Sequence, residues 1–310
     1  MRYPTATEHH LSHRELSNFD RDGFLLLRQR IEPALLARLS NAADDWIGQG
    51  MKHGAAAGVP DFHWAARPAA PALFRVDYLH SKGRPESLEL LGSPAVLGIA
   101  ASLAGNDFVP TYESLVFKAA GDGAPIPWHQ DAVHLRSQRI VNIDVYLDAS
   151  LPGQGALRVL PGSQRRRADV CAIRDEHGWD PPGQIEVAME PGDILLHDVM
   201  LVHGSPPAIG NQLRRTLYFE FRPADQIRSE GPWDDEWVVR RMRLIPLAQR
   251  AFAAAFPAAT PFHWQPSPWL RPAPLADDAV ELRVAHEVHS PGSFCSAGDS
   301  TGEASIRRMA

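Results

Sequence analysis

The sequence predicts a mainly β fold, a sandwich or barrel with helices flanking it. From Phe108 onward, short apolar or alternating stretches recur, as is typical of strands. Turn-forming pairs such as Asp122-Gly123 and Pro191-Gly192 separate most of these stretches. Helical apolar patterns occur before this region and after Pro223, so the helices should pack outside the β core.

The N-terminal third should hold two helices and two strands. Pro33 suits the first position of a helix, and Gly48 and Gly50 should end that helix. The expected elements are a strand over 23–31, a helix over 34–47, a loop over 54–72, a strand over 73–79 and a helix over 93–103.

The rest of the chain should hold the remaining strands and a last helical stretch. A helix is expected over 234–256, and Pro246 should kink it or split it in two, because proline lacks the N–H of a helix interior. Prolines dominate 257–274. The expected strands cover 109–119, 139–147, 156–160, 185–189, 193–202 and 214–222.

Bulk composition argues against several kinds of protein. With 310 residues, 44% of them hydrophobic, the chain can bury a sizeable core. Its net charge of −6 argues against nucleic acid as the main partner, because phosphate binding needs a basic surface. No apolar run approaches the roughly 18 residues of a membrane span, and Cys171 and Cys295 do not suggest a disulfide framework. We expect a cytoplasmic protein that acts on a small molecule, and the sequence carries no signal for its oligomeric state.

Three side chains from two separate segments predict a metal site. Residues two apart in an extended strand point to the same face, so His129 and Asp131 can reach one point together. A second imidazole, His203, would come from a strand 72 residues beyond Asp131. Two histidines and one carboxylate are the ligand set of non-heme Fe(II) oxygenases, since three positions stay open for substrate and O₂. We therefore expect these three residues to bind iron and to be catalytic.

An arginine follows at a suitable position for a cosubstrate. Arg214 lies eleven residues past His203 and opens the strand-like run RRTLYFEF. Its guanidinium can hold a carboxylate in a two-pronged hydrogen bond. Arg215 should point to the opposite face and form an ion pair at the surface.

Three further basic residues lie near the predicted metal ligands in the sequence. His197, six residues before His203, could share its face by strand parity. His203 is favoured because it precedes Gly-Ser and stands eleven residues before Arg214, so we expect His197 behind the ligands or in the core. His134 and Arg136 are equally compatible with the substrate pocket and with an exposed loop.

Five motifs in register resemble the phytanoyl-CoA dioxygenase family, over roughly Phe19 to Pro223. This family belongs to the Fe(II)/2-oxoglutarate-dependent oxygenases, which include ectoine hydroxylases and many natural-product tailoring enzymes. An isolated HxD would be weak evidence, whereas this order and spacing are specific. The motifs are WHQD at 128–131, GALRVLPGS at 155–163, PGD at 191–193, HGS at 203–205, and Arg214.

The resemblance implies a double-stranded β-helix core, a jelly roll similar to that of cupins, with helices on its outside. It implies Fe(II) held by His129, Asp131 and His203, with 2-oxoglutarate as the cosubstrate that chelates the iron and O₂ in the last position. The expected divisions are an N-terminal segment over 1–18, an oxygenase domain over 19–225 with its jelly-roll core at about 106–225, a helical and proline-rich extension over 226–290 and a flexible tail over 291–310.

The resemblance also assigns the cosubstrate site. Arg214 matches the residue that binds the distal carboxylate of 2-oxoglutarate, and Thr216, on the same strand face, can donate its hydroxyl to it. Ser205 matches a position that usually touches the cosubstrate. Ser114 sits where the family places a side chain beside the oxoglutarate, often an amide or thioether.

Positions 144 and 118 differ in how well they fit the family's pattern. Asp144 falls where many members carry tryptophan against the cosubstrate, so this wall departs from the family's pattern. Lys118 lies where lysine is frequent in the family, and a structural salt bridge is favoured over a catalytic role.

Retention of Asp131 bears on the reaction type. Related halogenases replace this carboxylate with a small residue so that chloride can bind iron. Its presence therefore argues for an oxygen-dependent C–H step, and we expect hydroxylation of a small organic molecule with release of succinate and CO₂. The breadth of the family and an arginine-, proline- and alanine-rich composition typical of GC-rich bacterial genomes suggest a secondary-metabolite pathway. Desaturation, epimerisation and ring closure by the same oxidant stay open. A non-catalytic cupin-type metabolite-binding protein and a cupin-type isomerase or hydrolase are the alternatives from other classes, and neither needs Arg214 at this spacing.

Overall fold

Two antiparallel β-sheets form the centre of the protein. The computed structural model describes residues 9–67, 70–118, 124–133, 137–210, 213–272 and 293–294. The larger sheet has the spatial order β1 (Phe24–Leu27), β9 (Ile194–Asp198), β6 (Val141–Tyr146), β11 (Arg214–Pro223), β4 (Phe108–Lys118), β3 (Ala72–Asp77) and β2 (Phe62–Ala65). The smaller sheet has the order β12 (Ser293–Phe294), β5 (Ile126–Gln130), β10 (His203–Ser205), β7 (Arg158–Val159) and β8 (Ile185–Glu186).

Most of the helices pack on the larger sheet, whereas the helix over Val170–His177 contacts β5 of the smaller sheet. Ser12 caps the first of them through a capping box with Glu15, which satisfies N–H groups that the helix leaves unpaired. None of the described helices is long and apolar enough to cross a membrane. They are α1 (His13–Asp22), α2 (Pro33–His53), α3 (Glu86–Leu91), α4 (Pro94–Ala104), α5 (Val170–His177), α6 (Ala224–Glu230), α7 (Asp235–Met242) and α8 (Leu244–Ala255).

Strand β11 separates the hydrophobic core from the polar interior between the sheets. Leu217, Phe219 and Phe221 are buried on its outer face, in one core cluster with residues of the helices. Each such side chain contributes about 1.5–3 kcal/mol by leaving water. The alternate residues, among them Arg214 and Thr216, therefore lie on the inner face.

Helix α2 runs six residues beyond the predicted end at 47. The prediction that Gly48 and Gly50 end it is wrong. A Cβ on Gly50 would lie 2.5 Å from the Leu73 side chain and 2.7 Å from that of Phe62, so this glycine lets the helix pack closely on β2 and β3. That packing outweighs the cost of about 1 kcal/mol for glycine inside a helix.

Other differences from the sequence expectations are local. The segment expected as a loop over 54–72 contains β2, which pairs with β3, and α1, α3, α5 and α6 were not predicted. The helical stretch is split in two, as expected: α7 ends at Met242, and Pro246 lies in the first turn of α8, where its missing N–H costs little.

A two-residue strand, β12, joins the smaller sheet. Ser293 and Phe294 form β12 and pair with Gln130 and His129 of β5, whereas the rest of the tail expected over 291–310 lies outside the described residues. Cys171 on α5 is disulfide-bonded, which the cysteine count had not suggested. The other cysteine of the sequence, Cys295, also lies outside the described residues.

Candidate active site

Strands β5 and β10 bring the two predicted histidine ligands together. His203 is the direct cross-strand partner of His129, and their ring centroids are 4.1 Å apart. Gly204 permits this close pairing, because a Cβ there would lie 3.0 Å from the Ile126 carbonyl oxygen and 3.1 Å from the Trp128 nitrogen. A larger residue after His203 would push the two strands apart.

Asp131 completes a group that can hold a metal ion. Its Oδ1 lies 3.4 Å from Nε2 of His129 and 3.8 Å from Nε2 of His203. Two atoms bound to one transition metal at about 2.1 Å and at right angles lie about 3 Å apart, so the donor set fits such an ion. Within the described part of the chain, these three residues are the one group of histidine, cysteine and acidic side chains with this property.

Backbone carbonyls orient both imidazoles. Nδ1 of His129 lies 2.8 Å from the Pro127 carbonyl oxygen, and Nδ1 of His203 lies 2.9 Å from that of Leu201. Donation by Nδ1–H leaves the lone pair of each ring on Nε2, the nitrogen that faces Asp131.

The charges of the group suit a cation. Burial and the neighbouring His129 lower the pKa of His203 to about 3, so this imidazole is neutral and able to bind metal at neutral pH. Burial alone would raise the pKa of Asp131, but His203, His129 and His197 hold it well below its usual value. The site therefore offers an ionised carboxylate beside a neutral imidazole.

Polar side chains behind Asp131 form a connected set of hydrogen bonds. Oδ2 of Asp131 lies 3.0 Å from Nε2 of His197 and 3.0 Å from Nδ2 of Asn142. Nδ1 of His197 lies 2.7 Å from Oδ2 of Asp144. Burial raises the pKa of Asp144 to about 6. Burial would lower the pKa of His197, but Asp144 and Asp131 raise it to about 10. His197 thus lies behind the ligands, as expected.

Arg214 lies close to the metal group because it contacts β10, the strand that carries His203. Its Nη1 donates to the Gly155 carbonyl and lies 3.3 Å from Oγ of Ser150. Its Nη2 lies 3.4 Å from Oγ of Ser205, two residues after His203. A half-buried guanidinium and a buried hydroxyl are therefore adjacent on the inner side of the sheets.

The other predicted cosubstrate residues share this inner face. Thr216 follows Arg214 at a spacing of two and is buried. Ser114 and Lys118 lie four residues apart on the neighbouring β4, with Lys118 directly opposite Arg214. Nζ of Lys118 donates to the Pro206 carbonyl at 2.9 Å.

Arg215 points away from this site, as strand alternation predicted. It forms a two-pronged ion pair with Asp148 at 2.8 and 2.9 Å and contacts Asp44 of α2 at 2.6 Å. The arginine side chain itself is only 9% exposed, whereas Asp148 and Asp44 are 23% and 63% exposed, so the ion pairs reach the surface through their acidic partners. His134 and Arg136 lie outside the described residues.

A polar cluster on β2, β3 and β4 was not singled out from the sequence. Nε of Arg75 lies 3.1 Å from Oδ1 of Asp77, Nε2 of His63 lies 2.6 Å from Oδ2 of Asp77, and Tyr112 donates to the same carboxylate. Burial would lower the pKa of Arg75, but acidic groups that include Asp77 and Asp131 raise it. The alternation of Arg75 and Asp77 in the apolar run ALFRVD was the available signal.

Comparisons with known proteins agree with this architecture. A methylphosphonate hydroxylase from Gimesia maris is 27% identical over 193 residues, which are 58% of this chain and 69% of that protein. The crystal structure of AviO1 from Streptomyces viridochromogenes Tue57 is 29% identical with a TM-score of 0.59, over 71% of this chain and 96% of that one. The crystal structure of EctD from S. alaskensis with 2-oxoglutarate and 5-hydroxyectoine, 20% identical, has a TM-score of 0.57 over 73% of this chain and 79% of that one.

These similarities confirm the predicted jelly-roll core with flanking helices. The chain spans only 41% and 52% of the lengths of two further curated relatives that it matches. Residues 19–216 match the family model described as phytanoyl-CoA dioxygenase (PhyH). The match covers well over half of the sequence, and the chain therefore belongs to the phytanoyl-CoA dioxygenase family.

Proposed function

We propose that this protein is an Fe(II)- and 2-oxoglutarate-dependent dioxygenase that hydroxylates a small organic molecule, with release of succinate and CO₂. The observation that carries the proposal is the convergence of Nε2 of His129, Nε2 of His203 and Oδ1 of Asp131 near Arg214. Fe(II), 2-oxoglutarate and O₂, when bound, supply the oxidant for a C–H bond. The membership of the family supports this cofactor set.

In this proposal the three side chains would hold Fe(II) and leave its remaining coordination positions free. Six positions minus three protein ligands leave two for a chelating oxoacid and one for O₂. Asp131 is already ionised and His203 already neutral at neutral pH, so neither has to lose a proton before metal binds.

Arg214 would anchor the distal carboxylate of 2-oxoglutarate. Its two terminal nitrogens lie next to Ser150 and Ser205, so donors converge on one part of the inner face. A guanidinium matches the geometry of a carboxylate and binds it in a two-pronged manner. Thr216 and Ser114, both buried on the same face, would add hydroxyl groups to this wall.

We assign the organic substrate to the space between the metal group and the inner face of β2 and β3. Arg75, whose pKa the charge of Asp131 helps to raise, offers a cation there, and Asp77 offers an acceptor. Such a wall suits a polar molecule, in line with the name of the methylphosphonate hydroxylase relative. A role in natural-product biosynthesis and a cytoplasmic location stay predictions.

The test is anaerobic titration of the Fe(II) protein with 2-oxoglutarate, followed by O₂ exposure with a panel of small polar molecules. We expect a charge-transfer absorption on 2-oxoglutarate addition and succinate formation that depends on iron, O₂ and 2-oxoglutarate. His129→Ala should abolish both, whereas His177→Ala on α5, with 31% of its side chain exposed, should not. An iron-loaded protein that binds no 2-oxoglutarate and forms no succinate would refute the proposal.

A further inference from the structure

The two oxygens of Asp131 have different surroundings. Oδ1 faces the ligand nitrogens of His129 and His203, at 3.4 and 3.8 Å. Oδ2 is turned away from them and lies 3.0 Å from each of two nitrogen donors, on Asn142 and His197. A carboxylate can bind a metal through one oxygen or both, so whatever holds Oδ2 determines how many positions Asp131 occupies.

We propose that Asn142, His197 and Asp144 are positioning residues that keep Oδ2 of Asp131 away from the metal, so that Asp131 binds it through Oδ1 alone. The inference rests on the proposed function, in which Asp131 is a metal ligand. It adds a way in which the protein keeps the O₂ position open, because an aspartate bound through both oxygens would fill it.

The two donors come from the opposite sheet. Asn142 on β6 and His197 on β9 are direct cross-strand partners in the larger sheet, and Asp131 follows β5 of the smaller sheet. Both side chains therefore project from one rigid pair of strands across the interior. Hydrogen bonds to a charged group are stronger than those between neutral groups, so two of them favour one orientation of the carboxylate.

Asp144 orients the imidazole of His197. It lies two residues after Asn142 on the same strand face, and its Oδ2 accepts from Nδ1 of His197 at 2.7 Å. With Nδ1 held there, the ring presents Nε2 to Asp131. His197 and Asp144 are only 2% and 1% exposed, so water does not compete for these hydrogen bonds.

This arrangement accounts for the acid at position 144, where the family pattern suggested tryptophan. An indole can donate a hydrogen bond but cannot accept one, so it could not hold Nδ1–H of His197. Asp144, which departs from the family's pattern, therefore supplies the acceptor that His197 requires.

The experiment uses Co(II) in place of iron, because the visible absorption of Co(II) reports the number and kind of its ligands without turnover. We would measure the Co(II) dissociation constant and the spectrum, with and without 2-oxoglutarate, for wild type, His197→Leu, Asp144→Leu and Asp144→Asn. Removing partners of metal ligands typically costs about 10- to 100-fold in metal affinity. We expect such a loss and an altered spectrum for both leucine variants, and partial rescue in Asp144→Asn, whose amide oxygen still accepts from Nδ1–H.

Two outcomes separate the proposals. A wild-type protein that binds neither Co(II) nor 2-oxoglutarate would refute the proposed function. Wild-type binding together with unchanged affinity and spectrum in both leucine variants would refute the positioning role alone, even if their melting temperatures fell. If a leucine variant does not fold, Asn142→Ala replaces it, because it removes the other donor to Oδ2, and His177→Leu serves as the matched control.

Discussion

His129 and His203 face each other across β5 and β10, although 74 positions separate them in the sequence. Their ring centroids are 4.1 Å apart, and each Nδ1 lies next to a backbone carbonyl. The register of two short strands therefore sets the geometry of the proposed metal site.

His203 should make the metal-free protein sensitive to acid. Its pKa is about 3 in the folded protein, against 6.5 for an ordinary histidine, because burial and His129 disfavour the charged ring. The unfolded chain then binds more protons between these values, so stability rises with pH from about 3 to 6.5. His203→Ala should flatten this part of the profile in chemical unfolding experiments with chelator present. An equally steep profile in the variant would contradict the prediction.

Arg214 and Arg215 offer a matched pair of variants. Arg214→Ala should weaken 2-oxoglutarate binding by a factor of about 10² to 10³ or more, since losing one partner of a desolvated charge pair costs about 3–5 kcal/mol. Arg215→Ala should leave that binding constant unchanged and lower the free energy of unfolding, because Asp148 and Asp44 lose their partner. Calorimetric titration and denaturant unfolding measure the two effects. Equal 2-oxoglutarate affinities for wild type and Arg214→Ala would move the anchor elsewhere.

Gly204 should be required for metal binding rather than for folding. A methyl group there would press on the backbone of Ile126 and Trp128 at 3.0 and 3.1 Å and displace β10 from β5. Gly204→Ala should therefore weaken Fe(II) binding while the protein stays folded. Gly48→Ala is the control, because nothing lies within 4 Å of its Cβ, and it should stabilise α2 by about 0.5–1 kcal/mol. Normal iron affinity in Gly204→Ala would show that the strands tolerate the displacement.

Asp193 should support the fold through the turn before β9. Its buried carboxylate accepts from the backbone nitrogens of Gln29 and Glu190 at 2.8 and 2.9 Å and from Arg28 at 2.6 Å. Burial would raise its pKa, but these donors lower it, so its contribution is present above the unfolded pKa and is lost as pH falls through the folded one. Asp193→Asn should cost about 2 kcal/mol at neutral pH in denaturant unfolding. A difference from wild type that does not shrink in acid would argue against this account.

Local geometry explains why much of the site could be predicted. Side chains two apart share a strand face whatever the fold, so His129 with Asp131, and Arg214 with Thr216, followed from spacing alone. The resemblance of the ordered motifs to the phytanoyl-CoA dioxygenase family then implied the jelly roll. The same rule correctly predicted that Arg215 points to the opposite face. Its contact with Asp44 of α2 could not be predicted from alternation, because it depends on how the helix packs on the strand.

The remaining features depend on contacts between distant segments. The partnership of His197 and Asp144 requires the register of β6 against β9, which no local pattern specifies. The true end of α2 likewise depends on how Gly50 meets Leu73, a contact made only after the helix has packed on the sheet. Propensity alone favoured a stop at these glycines, and tertiary packing overrode it.

The long separation between the paired histidines has a thermodynamic consequence. An ion bound by both would act as a cross-link that closes a large loop of chain, and it would bind the native state far better than the unfolded one. By mass action, a metal at 100 times its dissociation constant raises the free energy of unfolding by about 2.7 kcal/mol. Loading with iron should therefore raise the melting temperature, so that the stability of the folded chain depends on the supply of iron.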